Sequence, residues 1–384
     1  MVSAQKFLFF LSLISIFLRP FISHLAYPEA DRWLSLWLLL GAVPFIVINK
    51  NRIRKARSDI FLFGWVCALI ASFFTSRDFT ESLSTLTLYL CPLGLFYFIR
   101  VCDDTQKKLT LKTFFFSSIA LCLYGLYQYF FGFESVLNYL TNQSHKDSFA
   151  IEWLNRKRVF ATFFSPNAFA EYLCIFMPVC FYLRRIASKE FTKALFFFAL
   201  LLAGANLILT FSMGAITSLF ISCLIIVLLT KNNDNKSIFV LLALCALFCF
   251  VLAWRFSSLK PLLNPALSVE DRLYYWKEAL YMIAKDPWRA IGIGNFRGSK
   301  TLFVHNSYLQ VWIETGFLGF ITLSAFIVAL LRAGFKTIKT HPSLACALLA
   351  FLIHNTVNFT FFLPESNWIW WLIAGLIVSE ADKA

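Results

Sequence analysis

The chain has 384 residues, 59% of them hydrophobic and 15% charged, with a mean hydropathy of +0.70 and a formal net charge of +14. Ordinary soluble domains are about 45–50% apolar and about 25% charged, so a compact soluble core of this length has no room for so much apolar surface. The composition excludes a soluble enzyme, a nucleic-acid-binding protein and a secreted disulfide scaffold, and it predicts an all-α, polytopic helical membrane protein.

Apolar runs of spanning length fall near 7–23, 33–49, 59–75, 82–99, 111–131, 168–183, 191–211, 214–230, 237–254, 307–331, 343–361 and 367–380. At roughly 20 residues per span they predict about twelve transmembrane helices. All belong to one membrane domain over 1–384, with long loops at 132–167 and 255–306. Lys6 precedes the first run as in a signal peptide, but no small-x-small cleavage pattern follows, so the run reads as a retained helix.

Charge sets the orientation. Lys50, Arg52, Arg54, Lys55 and Arg57 share one side with Arg100, Lys107, Lys108 and Lys112, and with Arg184, Arg185, Lys189 and Lys193. Lys231, Lys236, Arg332, Lys336 and Lys339 continue the pattern, whereas the short loops opposite hold little beyond Arg32 and Arg77. The positive-inside rule puts both termini in the cytoplasm and both long loops outside. Trp33, Trp254, Trp368, Trp370 and Trp371 then fall at the outer interface as an aromatic belt. The ten cysteines lie in or beside apolar runs without a C-x-x-C pair and read as buried hydrophobes.

The long loops carry Lys146, Arg156, Lys157, Arg158, Arg255, Lys260, Arg272, Lys277, Lys285, Arg289, Arg297 and Lys300, against the positive-inside trend. An anionic ligand accounts for these charges, as do lipid headgroups. Within the second loop, Ser268-Val-Glu-Asp271 is a capping signal, and Leu273, Trp276, Leu280 and Ile283 recur at helical spacing. The spacing predicts a short amphipathic helix on the outer interface, apolar stripe toward the membrane, ended by Asp286-Pro287. Arg272 in its first turn favours an anion, or a headgroup.

Gly292-Ile-Gly294-Asn295-Phe296 permits a tight turn or a close approach of backbone N–H groups to a phosphate. His305-Asn306-Ser307-Tyr308 opens the tenth span, and Asn306, Gln310 and Glu314 follow at i, i+4 and i+8. On a straight helix this polar stripe descends about 12 Å into the bilayer. An acid at that depth faces the bundle interior or a water-filled cavity. Gly316 and Gly319 allow a neighbouring helix to pack closely. Arg156-Lys157-Arg158 runs into Ser165-Pro166-Asn167 and Glu171, and His354-Asn355 with Asn358 ends on the same face, His354 reading as helix-packing polarity.

Several of these residues recur as an ordered set. Arg158-x-x-Ala-Thr-Phe-x-x-Pro166-Asn167 is followed by Thr210-Phe-Ser212-Met-Gly214 and Arg272-x-x-x-Trp276. Then come Asp286-Pro-x-x-x-x-Gly292-x-Gly294-x-Phe296 and His305-Asn306-x-Tyr308-Leu-Gln310-x-x-x-Glu314-x-Gly316. The sequence resembles the O-antigen ligase and O-antigen polymerase superfamily of bacterial integral membrane glycosyltransferases, over about 158–375.

The resemblance implies a GT-C-like, metal-independent enzyme with no cofactor that takes a glycan from undecaprenyl diphosphate on the periplasmic face of the inner membrane. Its acceptor is a lipid A–core sugar in a ligase, or another lipid-linked repeat in a polymerase. It also implies His305 as base and Arg272 on the diphosphate, with Arg158, Asn167, Arg297, Asn306, Gln310 and Glu314 as substrate-binding candidates. Many members have Ser-Arg-Gly where this chain has Ser212-Met213-Gly214, and Arg158 is the candidate to compensate. The chemistry fits the residue types, since arginine grips phosphate bidentately and imidazole accepts a hydroxyl proton near neutral pH. Protein-directed glycan transfer remains open, as does a transporter, although no inverted repeat supports the latter.

Overall fold

The computed structural model describes residues 2–141, 148–230, 265–299 and 301–383. The expected span near 237–254, together with Trp254 and Lys146, Lys231, Lys236, Arg255, Lys260 and Lys300, lies outside the described residues.

Every regular element among the described residues is helical. In chain order they are α1 (Val2–Leu18), α2 (Pro28–Ile48), α3 (Arg57–Phe74), α4 (Phe79–Val101) and α5 (Asp104–Tyr127). α6 (Phe133–Thr141), α7 (Ser148–Asn155), α8 (Pro166–Ile186), α9 (Glu190–Leu209) and α10 (Met213–Thr230) follow. The last four are α11 (Pro265–Lys285), α12 (Ser307–Thr337), α13 (Pro342–His354) and α14 (Pro364–Ala381). Among the described residues, nine helices are long and apolar enough to cross a membrane, making this a multi-pass membrane protein.

Short polar residues start these helices where the chain leaves a loop. The Asp78 carboxylate accepts the Glu81 N–H at 3.0 Å, Asp103 and Gln106 form a reciprocal capping box, and Ser165 caps α8 just before Pro166. α5 runs into α6 through a single π turn at 128–132. Its Gln128 side chain turns inward and accepts the N–H groups of Phe160 and Ala161 at 3.0 and 2.9 Å. A π turn at such a tie is a common device near functional sites.

Two expected spans differ. The run near 343–361 is a 13-residue helix, α13, followed by irregular backbone. α14 is enclosed by protein: every residue from Pro364 to Val378 is buried, with α4, α12, α13 and α8 around it. Trp368, Trp370 and Trp371 therefore form no aromatic belt. Trp371 stacks between Trp65 and Phe326, at 6.0 and 5.3 Å, and Trp370 stacks on Phe351 at 5.0 Å. A helix that is apolar around its whole circumference gains most when buried on all sides. Trp33, in contrast, is exposed.

The termini-side charges gather at one end of the bundle. Arg100 pairs with Asp59 and donates to the Arg54 carbonyl, Arg54 donates to the Asp382 carbonyl, and Lys383 pairs with Asp104 and Glu380. Lys107 also reaches Glu380, and Arg185 donates to Thr340. The opposite end holds the candidate site.

Candidate active site

α12 is broken at Gly316, where φ is 68° and ψ −176°. The break frees the Phe317 N–H and the Ile313 carbonyl, an i, i−4 pair in an intact helix. The segment after α11 satisfies both: Phe317 donates to the Pro287 carbonyl, and Ile291 donates to the Ile313 carbonyl, each at 3.1 Å. The indole of Trp312 adds a third bond, to Pro287, at 3.0 Å. A Cβ at Gly316 would lie 2.5 Å from the Trp288 carbonyl oxygen, so only glycine admits this approach.

Asn306, Gln310 and Glu314 all precede the break, so the stripe does not descend a straight helix. Asn306 caps α12, its side-chain oxygen accepting the N–H groups of Tyr308 and Leu309 at 3.1 Å. Gln310 accepts the Val304 N–H and donates to the Glu314 carboxylate at 3.1 Å. Glu314 is buried and faces the backbone N–H groups of Gly294 and Phe296.

The acidic group seated on the glycine loop is thus the protein's own Glu314 side chain. The loop itself lies against the α3–α4 corner: Gly292 and Gly294 have φ of 100° and 70°, and a Cβ on Gly292 would meet the Ser76 Cα at 2.6 Å. Asn295 staples it, donating to Ser76 and Ser82 at 2.8 and 2.7 Å and accepting the Asp78 N–H at 3.0 Å. Arg297 is exposed, its guanidinium donating to the carbonyls of Gly294 and Phe296.

α11 starts at Pro265, a residue suited to a first helical turn, and packs inward. Ala279 and Ile283 are buried with Phe296, Val304 and Ile313, and Trp276 lies against them, while Leu273 and Leu280 are exposed. Of the expected stripe, Trp276 and Ile283 face protein, because the loop from Ile291 to Val304 and the start of α12 supply apolar partners, whereas Leu273 and Leu280 stay on the outer side of the helix.

That packing brings α11 to His305. The imidazole stacks on Tyr275 at 5.6 Å and meets the edge of Phe359 at 5.0 Å. Its Nδ1 is enclosed, without a hydrogen-bond partner among the described residues. Burial pushes the His305 pKa down to about 4, and the charge of nearby Arg272 adds to the shift. Burial lowers the Arg272 pKa as well, opposed by Asp271. His305 has a φ of 55°, a conformation rarely held by a residue with a side chain. Its flanks are fixed by Trp276, which donates to the His305 carbonyl at 3.4 Å, and by Gln310 on Val304.

Arg158 and Asn167 meet elsewhere at the same end. The Arg158 Nε donates to the Thr210 carbonyl at 2.9 Å and its terminal nitrogen to Asn167 at 3.1 Å, so Arg158 lies on the turn that carries Met213. The His354 ring lies where a Cβ on Gly214 would touch it, at 3.4 Å. The structure thus joins His305 with Arg272, Arg158 with Asn167, and Gln310 with Glu314. Tyr275 and Phe359 escaped the sequence reading, although Tyr275, three residues after Arg272, shares its helix face.

The arrangement defines a class: a polytopic membrane protein with an imidazole and guanidinium groups at one end of its bundle. A family model described as O-antigen ligase matches residues 198–324, spanning the Met213 turn, α11, the glycine loop, His305 and the α12 break. Over that segment the chain is similar to O-antigen ligases. No curated protein matches the chain. Arg158 and Asn167 precede the matched segment.

Proposed function

We propose that the chain transfers a glycan from undecaprenyl diphosphate to a lipid A–core sugar, on the periplasmic face of the bacterial inner membrane, with both termini cytoplasmic. The observation that carries the reading is the convergence of Arg272 and Tyr275 on His305 inside the family-matched segment.

In this reading the acceptor hydroxyl gives its proton to His305 as its oxygen bonds to the anomeric carbon. The bond from that carbon to the diphosphate breaks, and the leaving oxygen keeps the electron pair. Arg272 neutralises the charge that grows there, with Arg158 supplying from the Thr210 side the cation that Met213 does not, and Arg297 at the rim. With its pKa at about 4, the free His305 is neutral at pH 7, as a base must be. A bound diphosphate offsets the Arg272 charge and raises the basicity of His305 when the proton has to move.

The test is transfer by purified full-length protein in detergent, with lipid-linked donor and lipid A–core acceptor. His305→Ala is expected to fold and lose transfer, and Arg272→Lys to need about tenfold more donor. Wild-type transfer by His305→Ala overturns the assignment. A knockout that retains a single attached repeat identifies a polymerase instead.

A further inference from the structure

A buried line of polar side chains runs between the two halves of the site. His354 lies against Gly214, and its Nδ1 is 3.4 Å from one Glu171 oxygen. The other Glu171 oxygen accepts from the Asn355 amide at 2.7 Å. The Asn355 carbonyl oxygen accepts the Ser307 hydroxyl at 2.6 Å, and the Ser307 N–H donates to the backbone carbonyls of Asn355 and Asn358 at 3.0 and 3.1 Å. Ser307 is two residues from His305. None of these four side chains is more than 2% exposed.

The stretch from Glu171 through Asn355 to Ser307 is hydrogen-bonded and fixes geometry, while His354 Nδ1 and the facing Glu171 oxygen meet at ion-pair distance without a hydrogen bond among the described residues. One end touches the Thr210–Gly214 turn that Arg158 grips, and the other ends beside the left-handed His305. A residue at a φ of 55° persists only where its surroundings over-determine it. Trp276 and Gln310 hold His305 and Val304 from α11 and α12, and the Ser307 bonds hold the following side.

We infer that Glu171, Asn355 and Ser307 are positioning residues that set the distance between the donor-phosphate cations and the His305 imidazole. They touch neither substrate. They act by keeping the acceptor hydroxyl, the base and the anomeric carbon in line, where a shift of about 1 Å costs on the order of a hundredfold in rate. This inference rests on the transferase reading above.

The experiment measures donor KM and kcat in the purified full-length protein. Glu171→Gln preserves the oxygen that accepts from Asn355 and is expected to stay within about threefold of wild type. Glu171→Met removes it, and kcat is expected to fall by about tenfold or more with donor KM little changed. Should Glu171→Met fail to fold, Ser307→Ala deletes only a hydroxyl, and a kcat loss of about threefold to tenfold at constant KM is expected. Measured on the slow residual transfer of His305→Ala over long incubation, Glu171→Met, or Ser307→Ala in its place, is expected to add no further loss, because it acts through the imidazole. Unchanged kcat in Ser307→Ala and in folded Glu171→Met, or losses that add in the double variant, overturns the positioning role. Wild-type transfer by His305→Ala overturns the role of His305 as base, and no transfer by the unmutated protein overturns the transferase reading, so these failures are distinct from loss of the positioning role.

Discussion

Two interruptions of membrane helices flank His305, and they are stabilised in opposite ways. The break in α12 at Gly316 is repaired by backbone from Pro287 to Ile291. The gap between α13 and α14 depends on one side chain. The Asn355 amide oxygen accepts from Ser307, from the Phe361 N–H at 2.8 Å and from Thr360 at 3.3 Å, while its nitrogen donates to Glu171 and to the Phe351 carbonyl. Away from water every freed backbone group needs a partner inside the protein. A break satisfied by backbone tolerates changed side chains but not an added Cβ, whereas a break satisfied by one amide fails with that amide.

Asn355→Leu should have the largest effect. It strands the Phe361 N–H, the Ser307 hydroxyl and the Glu171 carboxylate in a buried setting, an expected loss of about 3–5 kcal/mol. Thermal unfolding in detergent measures it, and an unchanged midpoint removes Asn355 from its role. Gly316→Ala comes next, at about 2–3 kcal/mol, from a φ of 68° and the contact with the Trp288 carbonyl. Asn295→Ala frees the glycine loop from Ser76, Ser82 and Asp78 and should cost about 1–3 kcal/mol. Trp288→Ala sharpens the contrast, because its carbonyl meets Gly316 while its side chain is 74% exposed; a change within about 1 kcal/mol is expected. A large loss there shows that the indole, not the backbone, supports the break.

The same contrast explains what was legible in the sequence. Hydropathy located most helices because it measures transfer out of water. It misassigned Trp368, Trp370 and Trp371 because lipid and protein interior are equally apolar to such a measure. Arg272 and His305 were readable as a pattern of charge and spacing. The bonds of Asn355 were not, since they join residues 48 and 184 positions away. The glycine loop was half legible: the sequence shows the turn, but nothing local to it names Glu314 as the acidic side chain it faces.

The smallest expected effect is a shift in pH dependence. His305 has a folded pKa of about 4 against an ordinary value near 6.5, so between these values the unfolded chain binds more protons. The resulting stability is complete above the unfolded value and is lost as pH falls toward 4. Activity divides differently. The acid limb of kcat/KM reports the free enzyme and should lie near pH 4, while the limb of kcat reports the donor complex. A diphosphate beside Arg272 adds negative charge near the imidazole, so the kcat limb should lie higher, by about one unit. Arg272→Gln removes the cation, and its kcat/KM limb should move upward without reaching 6.5, because burial is the larger cause of the shift. Coincident limbs in the wild-type protein mean that the diphosphate binds too far from His305 for its charge to be felt, and the base must then be sought on the Arg158 side of the break.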